Sequence, residues 1–282
     1  MDSDTTQAST TSAAPSLPEQ ACLPINRCNL PAKILGSLTY QHHPVPLLLD
    51  GIVDLHKSLW HGLDELTSAE ERGQLFIDYM EMCFQLDHLE EVGLTDLDNK
   101  ARIKANYLTM LRGWLFDPDS REGAILKGWV ESRFGLLPRW HKGPIPDAEC
   151  EAYQHYMHER TSGIYNTNAL EAQLDLLYSY CQYELQQTYP DQTHLSLYRG
   201  FNKLTSHDIL HQFSKHRYVI LLNNLNSFSD NEELAGQFGD HIMQAEIPLS
   251  HIFMYQQLLP NRFKGEGEHM VLGGVCEMTE VI

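Results

Sequence analysis

Two kinds of hydrophobic periodicity divide the chain near Pro190. Before it, apolar residues recur at helical spacing. Leu75, Tyr79, Met82, Cys83 and Leu86 share one face of a helix that Ser68 and Glu71 would open as a capping box. Asn168 with Glu171 gives another start signal, and Leu170, Leu174, Leu177, Tyr178, Cys181 and Leu185 keep the spacing until Pro190 ends the run. Further helices are predicted around 54–66, 100–115 and 149–159. After Pro190 short β-prone runs take over, at 195–198, 218–222, 242–247, 251–255 and 269–274. One short helix interrupts them, opened at Ser229 with Glu232 as its capping box and packing Leu234 and Phe238.

Pro24, Pro31, Pro44 and Pro46 punctuate the stretch 22–51, which should wrap the protein as an extended segment. Residues 1–20 are rich in Ser, Thr and Ala and read as a disordered tail. No internal repeat is present, and no flexible linker marks the change of pattern. Residues 21–282 are therefore expected to form a single domain, helical over about 52–189 and β-rich over about 194–282. This is an α+β fold with a helical N-terminal half packed on a β-rich core.

Composition narrows the function classes. The chain has 282 residues, 42% of them hydrophobic and 21% charged, as suits a soluble globular protein. No apolar run is long enough to span a membrane. The N-terminus resembles neither a secretory signal nor a transit peptide, so the cytoplasm is the expected location. Six scattered cysteines without a CxxC pair read as reduced thiols, not a disulfide framework or zinc site. A net charge of −18 disfavours nucleic acid as a partner. The same charge could steer a cationic acceptor, such as an arginine, or simply maintain solubility.

The candidate chemistry lies in the β-rich half. Glu266 and Glu268 stand two residues apart, just ahead of an apolar run, and on an extended strand they would share a face. Gly265-Glu-Gly267 begins like a dinucleotide fingerprint but lacks the third glycine and leads into a strand, which disfavours a hydride-transferring dehydrogenase. No metal site is expected. His207 and His211, or Glu151, His155 and His158, share helical spacing, yet no HExxH occurs and neither group supplies a convincing third ligand. Asp96-Leu-Asp98-Asn-Lys100 starts like a calcium loop but has Lys at its fifth position and lacks the required glycine and final Glu.

Three segments then follow in order: Leu197-Tyr198-Arg199-Gly200, Asn226-Ser227-Phe228-Ser229-Asp230-Asn231, and Glu266-Gly267-Glu268. Arginine, then Ser-x-Ser, then Glu-x-Glu resembles the arginine-specific mono-ADP-ribosyltransferases. Both serines of the toxin relatives' Ser-Thr-Ser are kept. Upstream, Asn29 to Ser37, Gln41, Pro44 to Gly51 and Leu55 to Trp60 resemble the bacterial NAD–dinitrogen-reductase ADP-ribosyltransferase family, so that the resemblance spans about 21–282.

The resemblance implies a transferase that consumes NAD as a substrate and uses no metal. Glu268 would stabilise the charge that develops on the ribose, and Glu266 would hold the incoming guanidinium. Arg199 would contact the pyrophosphate or the adjoining ribose, with Gly200 and Phe228 beside it in the NAD site. Ser227 would position Glu268, and Ser229 would either join the NAD site or cap the following helix. The implied target is an arginine on dinitrogenase reductase, the nitrogenase iron protein, reversibly shutting down nitrogen fixation, and the implied regulator is a PII signalling protein. The helical half is the candidate surface for both proteins. Alternatives are the same chemistry on another arginine-bearing target, and a binding module that has lost activity.

Overall fold

The computed structural model describes residues 15–86, 106–161, 168–204, 207–263 and 267–281. Its centre is an eight-stranded antiparallel sheet in the order β2-β3-β8-β5-β1-β4-β7-β6. The strands are β1 His194–Phe201, β2 Asp208–Ser214, β3 Arg217–Leu221, β4 Leu225–Ser229, β5 His241–Pro248, β6 Ile252–Tyr255, β7 Glu268–Leu272 and β8 Val275–Glu280. Helices α1 Ala69–Phe84, α2 Tyr107–Phe116, α3 Arg121–Phe134, α4 Glu151–Thr161 and α5 Asn168–Thr188 precede the sheet, and α6 Glu232–Ala235 follows β4. This is the expected α+β arrangement. The main hydrophobic core runs from Leu17 to Met278 and joins most of the helices to the sheet, while a smaller cluster of Ala124, Ile145 and Tyr156 packs α4.

The helix α5 was fully legible. All six apolar residues that define its stripe are buried, and Gln182 Nε2 donates to the Ile252 carbonyl at 2.7 Å, seating the helix on β6. Ser68 caps α1 by accepting from the Glu71 N–H at 3.5 Å, as the capping box requires. The buried face of α1 is different from the predicted one: Phe76, Ile77 and Met80 are in the core, while Met82 and Cys83 are exposed. Phe76 stacks on Tyr180 of α5 with ring centroids 4.0 Å apart. That contact fixes the rotation of the helix.

The predicted helix at 54–66 is two shorter ones, Ile52–Leu55 and Lys57–Asp64. The predicted start at residue 100 lies outside the described residues, and α2 is seen from Tyr107. The stretch 22–51 is less extended than its prolines suggest, since it folds two short helices, Ala32–Leu35 and Leu38–His42. Buried Gln41 on the second ties this wrap to the sheet, accepting from the Glu277 N–H at 2.7 Å. Packing begins ahead of residue 21, because Leu17 is buried in the core.

The sequence pattern missed α3. Its charged residues disguise a helix buried almost all round. Arg133 donates from Nε and Nη2 to the two oxygens of Asp175 at 2.7 and 2.8 Å, so the charge enters the interior with a bidentate partner. Arg72 of α1 and Glu184 of α5 make a second buried fork, at 2.7 and 2.9 Å.

That second fork yields a stability prediction. Removing one partner leaves a buried charge without its counter-ion, so Glu184→Ala should lose about 3–5 kcal/mol in urea unfolding. The double variant Arg72→Met/Glu184→Leu should recover most of that loss, since an apolar pair of similar size is close to neutral.

Candidate active site

A cavity of about 920 Å³ is lined by residues of β1, β4, β7 and α2 and by the 139–146 loop. Its size lies in the range of sites that hold cofactor-sized ligands. Arg199, Gly200, Ser227, Phe228, Ser229 and Glu268 all line it. Strand register brings them there. Ser229 on β4 stands opposite Tyr198 on β1 and opposite Glu268 on β7, so three segments far apart in sequence meet across three adjacent strands.

Glu268 is the first residue of β7. Ser227 donates from Oγ to Glu268 Oε1 at 2.5 Å, and the Trp114 indole N–H of α2 donates to Ser227 Oγ at 3.0 Å. Burial raises the pKa of Glu268 above the ordinary carboxylate value, opposed by the Ser227 and Trp114 hydrogen bonds and by the charge of Arg199. Arg199 reaches under β4, where Nη1 donates to the Ser227 carbonyl at 2.6 Å. Its guanidinium carbon lies 5.6 Å from the Phe201 ring centroid and 5.7 Å from that of Phe228, within reach of both π faces. Burial lowers its pKa to about 10, against the pull of Glu268, which leaves it protonated at neutral pH. Among the described residues the buried Nε–H has no hydrogen-bond partner, a donor available to an anion in the cavity.

Gly200 has two duties. It lines the cavity, and a Cβ there would stand 2.3 Å from the Ala235 carbonyl oxygen, so only glycine lets the α6 turn lie directly on β1. Gly267 sits at φ +71°, and a Cβ on it would meet Asp230 Oδ1 at 2.1 Å. Its N–H donates to Gln256 Oε1 at 2.7 Å, and the His269 ring nitrogen contacts its carbonyl at 2.9 Å, which anchors the approach to β7.

Those positions revise parts of the sequence reading. Glu266 lies outside the described residues. Gly267, which leads into β7, has a left-handed and not an extended backbone. Ser229 is not the helix cap. Its Oγ accepts from the Asn231 N–H at 3.0 Å, and Asn231 caps α6 by accepting from the Leu234 N–H at 3.1 Å. The capping box fails because β4 continues through Ser229, and the helix starts three residues later, at Glu232. Arg199 lies within β1, which runs on to Phe201, beyond the predicted run 195–198.

The histidines weighed as ligands have other contacts. His207 packs edge-on against Phe201 with centroids 4.4 Å apart, and burial, with Arg199 nearby, lowers its pKa to about 4. His211 packs instead against Phe213. His155 pairs with Glu151 at 3.5 Å on the surface of α4. No group of three or more His, Cys, Asp or Glu side chains that could hold a metal occurs among the described residues. The calcium-like run 96–100 lies outside them. Sequence reasoning missed Trp114, Phe201 and Gln256, which take part only through tertiary contacts with no local motif.

Residues 25–280 match the family model described as dinitrogenase reductase ADP-ribosyltransferase (DRAT). The chain is also 36% identical over 252 residues to the NAD(+)–dinitrogen-reductase ADP-D-ribosyltransferase of Rhodospirillum rubrum, an alignment covering 88% of this chain and 91% of that protein. No solved structure matches.

The site makes a prediction independent of any assay of activity. Ser227→Ala removes a donor that favours the ionised form of Glu268, so the carboxyl should titrate at still higher pH than in the parent. Carbon-13 NMR titration of labelled glutamate, with Glu268→Gln to assign the signal, would show the upward move. An unchanged midpoint would mean that Ser227 does not hold the acid.

Proposed function

The chain belongs to the dinitrogenase reductase ADP-ribosyltransferase family, and from that premise we propose that it transfers ADP-ribose from NAD to an arginine of dinitrogenase reductase, releasing nicotinamide, with Glu268 as the acid at the reacting carbon. The observation that carries the assignment is the joint placement of Arg199, Ser227 and Glu268 in one cofactor-sized cavity, with the acid fixed by a hydrogen bond.

The bond between nicotinamide and ribose in NAD supplies the leaving group, and its electron pair departs with neutral nicotinamide. Positive charge grows on the ribose as that bond breaks, in the manner of glycoside cleavage. The Glu268 carboxylate, desolvated and held by Ser227, meets that charge without having to reorganise. Arg199 offers its unpartnered Nε–H and its full charge to the pyrophosphate, while Phe201 and Phe228 support the guanidinium from two sides. Gly200, Phe228 and Ser229 complete the wall. Glu266 is assigned to the acceptor. An arginine is protonated and a poor nucleophile, so a carboxylate must orient it and take its proton as the new bond forms between guanidine nitrogen and ribose carbon.

Modification of dinitrogenase reductase places a bulky dianionic group on its surface, which would block an electron-transfer partner from docking there. Control by a PII protein and a cytoplasmic location belong to the same proposal and rest on the family resemblance. Among the described residues no helix is long and apolar enough to cross a membrane.

Labelled NAD incubated with purified dinitrogenase reductase should mark one arginine, located by peptide mapping. Absence of label on that protein, with nicotinamide still released, would turn the search to another acceptor. Glu268→Gln should slow both nicotinamide release and protein labelling by about 10²-fold or more. Glu266→Gln should abolish labelling of arginine and leave slow hydrolysis of NAD by water, and joint loss of both would give Glu266 a role beyond the acceptor. Because Glu268 works ionised and its pKa is raised, nicotinamide release should decline as pH falls through a midpoint above the ~4.3 of an ordinary glutamate.

A further inference from the structure

The catalytic motifs belong to the sheet, but the hydrogen-bond chain that ends at Glu268 begins in the helical half. Trp114 lies near the C-terminal end of α2, is 1% exposed, and directs its indole N–H to Ser227 Oγ at 3.0 Å. A serine hydroxyl has one proton and can accept as well as donate. With the Trp114 donor on its lone pair, the Ser227 proton is turned toward Glu268 Oε1, 2.5 Å away. Without the indole, that hydroxyl is free to rotate to other acceptors, and the carboxylate loses its fixed partner.

The Trp114 side chain is itself held. Lys127 Nζ of α3 lies 5.9 Å from its ring centroid, in range for a cation over an aromatic face. Lys127 is buried and fixed by Asp119 Oδ1 at 2.8 Å and by the Trp140 carbonyl at 3.1 Å. At the other end of α2, the Tyr107 N–H donates to Gln173 Oε1 of α5 at 3.0 Å, so the helix is clamped at both ends. A cation against the ring face withdraws electron density and makes the indole N–H a better donor, which strengthens the chain of bonds toward the acid.

We infer that Trp114 is a positioning residue for Glu268, acting through Ser227, and that the helical half is thereby part of the catalytic apparatus and not only a recognition surface. This deepens the assignment of Glu268 above and rests on it. Among the described residues the groups facing Glu268 are Arg199 from β1, Ser227 from β4 and Trp114 from α2, and the one charge among these is Arg199.

The test uses the full chain with Trp114→Phe, and with 3-benzothienylalanine at position 114, which keeps the shape of tryptophan without its N–H. Both should release nicotinamide with kcat lowered roughly 5- to 10-fold, the worth of one hydrogen bond, and KM for NAD within about twofold. The acid limb of the kcat profile should move to higher pH in both. Combined with Ser227→Ala, the loss should be less than the product of the single losses, because one chain is cut twice. An unmoved acid limb, or full activity in the benzothienyl protein, would overturn the inference even if Trp114→Phe melts at lower temperature. NMR titration of Glu268 without NAD separates the two claims. A raised midpoint in the benzothienyl protein supports the link from Trp114 even if Glu268→Gln proves active, and an unchanged midpoint refutes it even if the enzyme assignment stands.

Discussion

A carboxylate taken out of water needs a donor, and here one serine supplies it across two strands. The bond from Ser227 to Glu268 lets an acid remain in a cavity whose burial raises its pKa. Ser227 also contributes its carbonyl oxygen to Arg199. One residue therefore sets the distance between the acid and the cation on the strands to either side. The register of β1, β4 and β7 is what makes this possible, and slipping any of these strands by one residue would turn its side chain to the opposite face.

The helical half is joined to this sheet by more than hydrophobic contact. Its interior holds charge: Arg72 with Glu184, Arg133 with Asp175, and Lys127 with Asp119. Each buried cation meets a carboxylate, so the helices gain fixed relative positions as well as apolar burial. Fixed helices matter because α2 delivers Trp114 to the serine. In a minimal transferase built on the sheet alone, that donor would have to come from elsewhere.

How much of this was legible in the sequence depended on how each element is buried. Helix α5 presents one apolar face to the sheet, and its stripe was read correctly. Helix α3 is buried on nearly every side and uses paired charges to achieve it, so no stripe exists to be read. Strands β3 and β7 bury almost every residue and appear as apolar runs. Strand β2 is exposed along nearly all of its length, and β4 carries Asn and Ser into the cavity, so both lack the strand signature. The candidate site residues Arg199, Ser227 and Glu268 could be named because a family resemblance gives them in order, and the strand register brings them to one cavity. Trp114 could not be named, because a lone tryptophan in an apolar helix looks like core until its N–H is seen to have a destination.

The left-handed backbone at Gly267 has a consequence for how such a protein can change over time. Asp230 crowds the place where a side chain would go, and Gln256 fixes the amide, so the chain bends at that residue before β7 begins. Any replacement there would meet two obstacles at once, the left-handed backbone and the Asp230 carboxylate, so this position is closed to change while the serine-held acid beside it keeps its place.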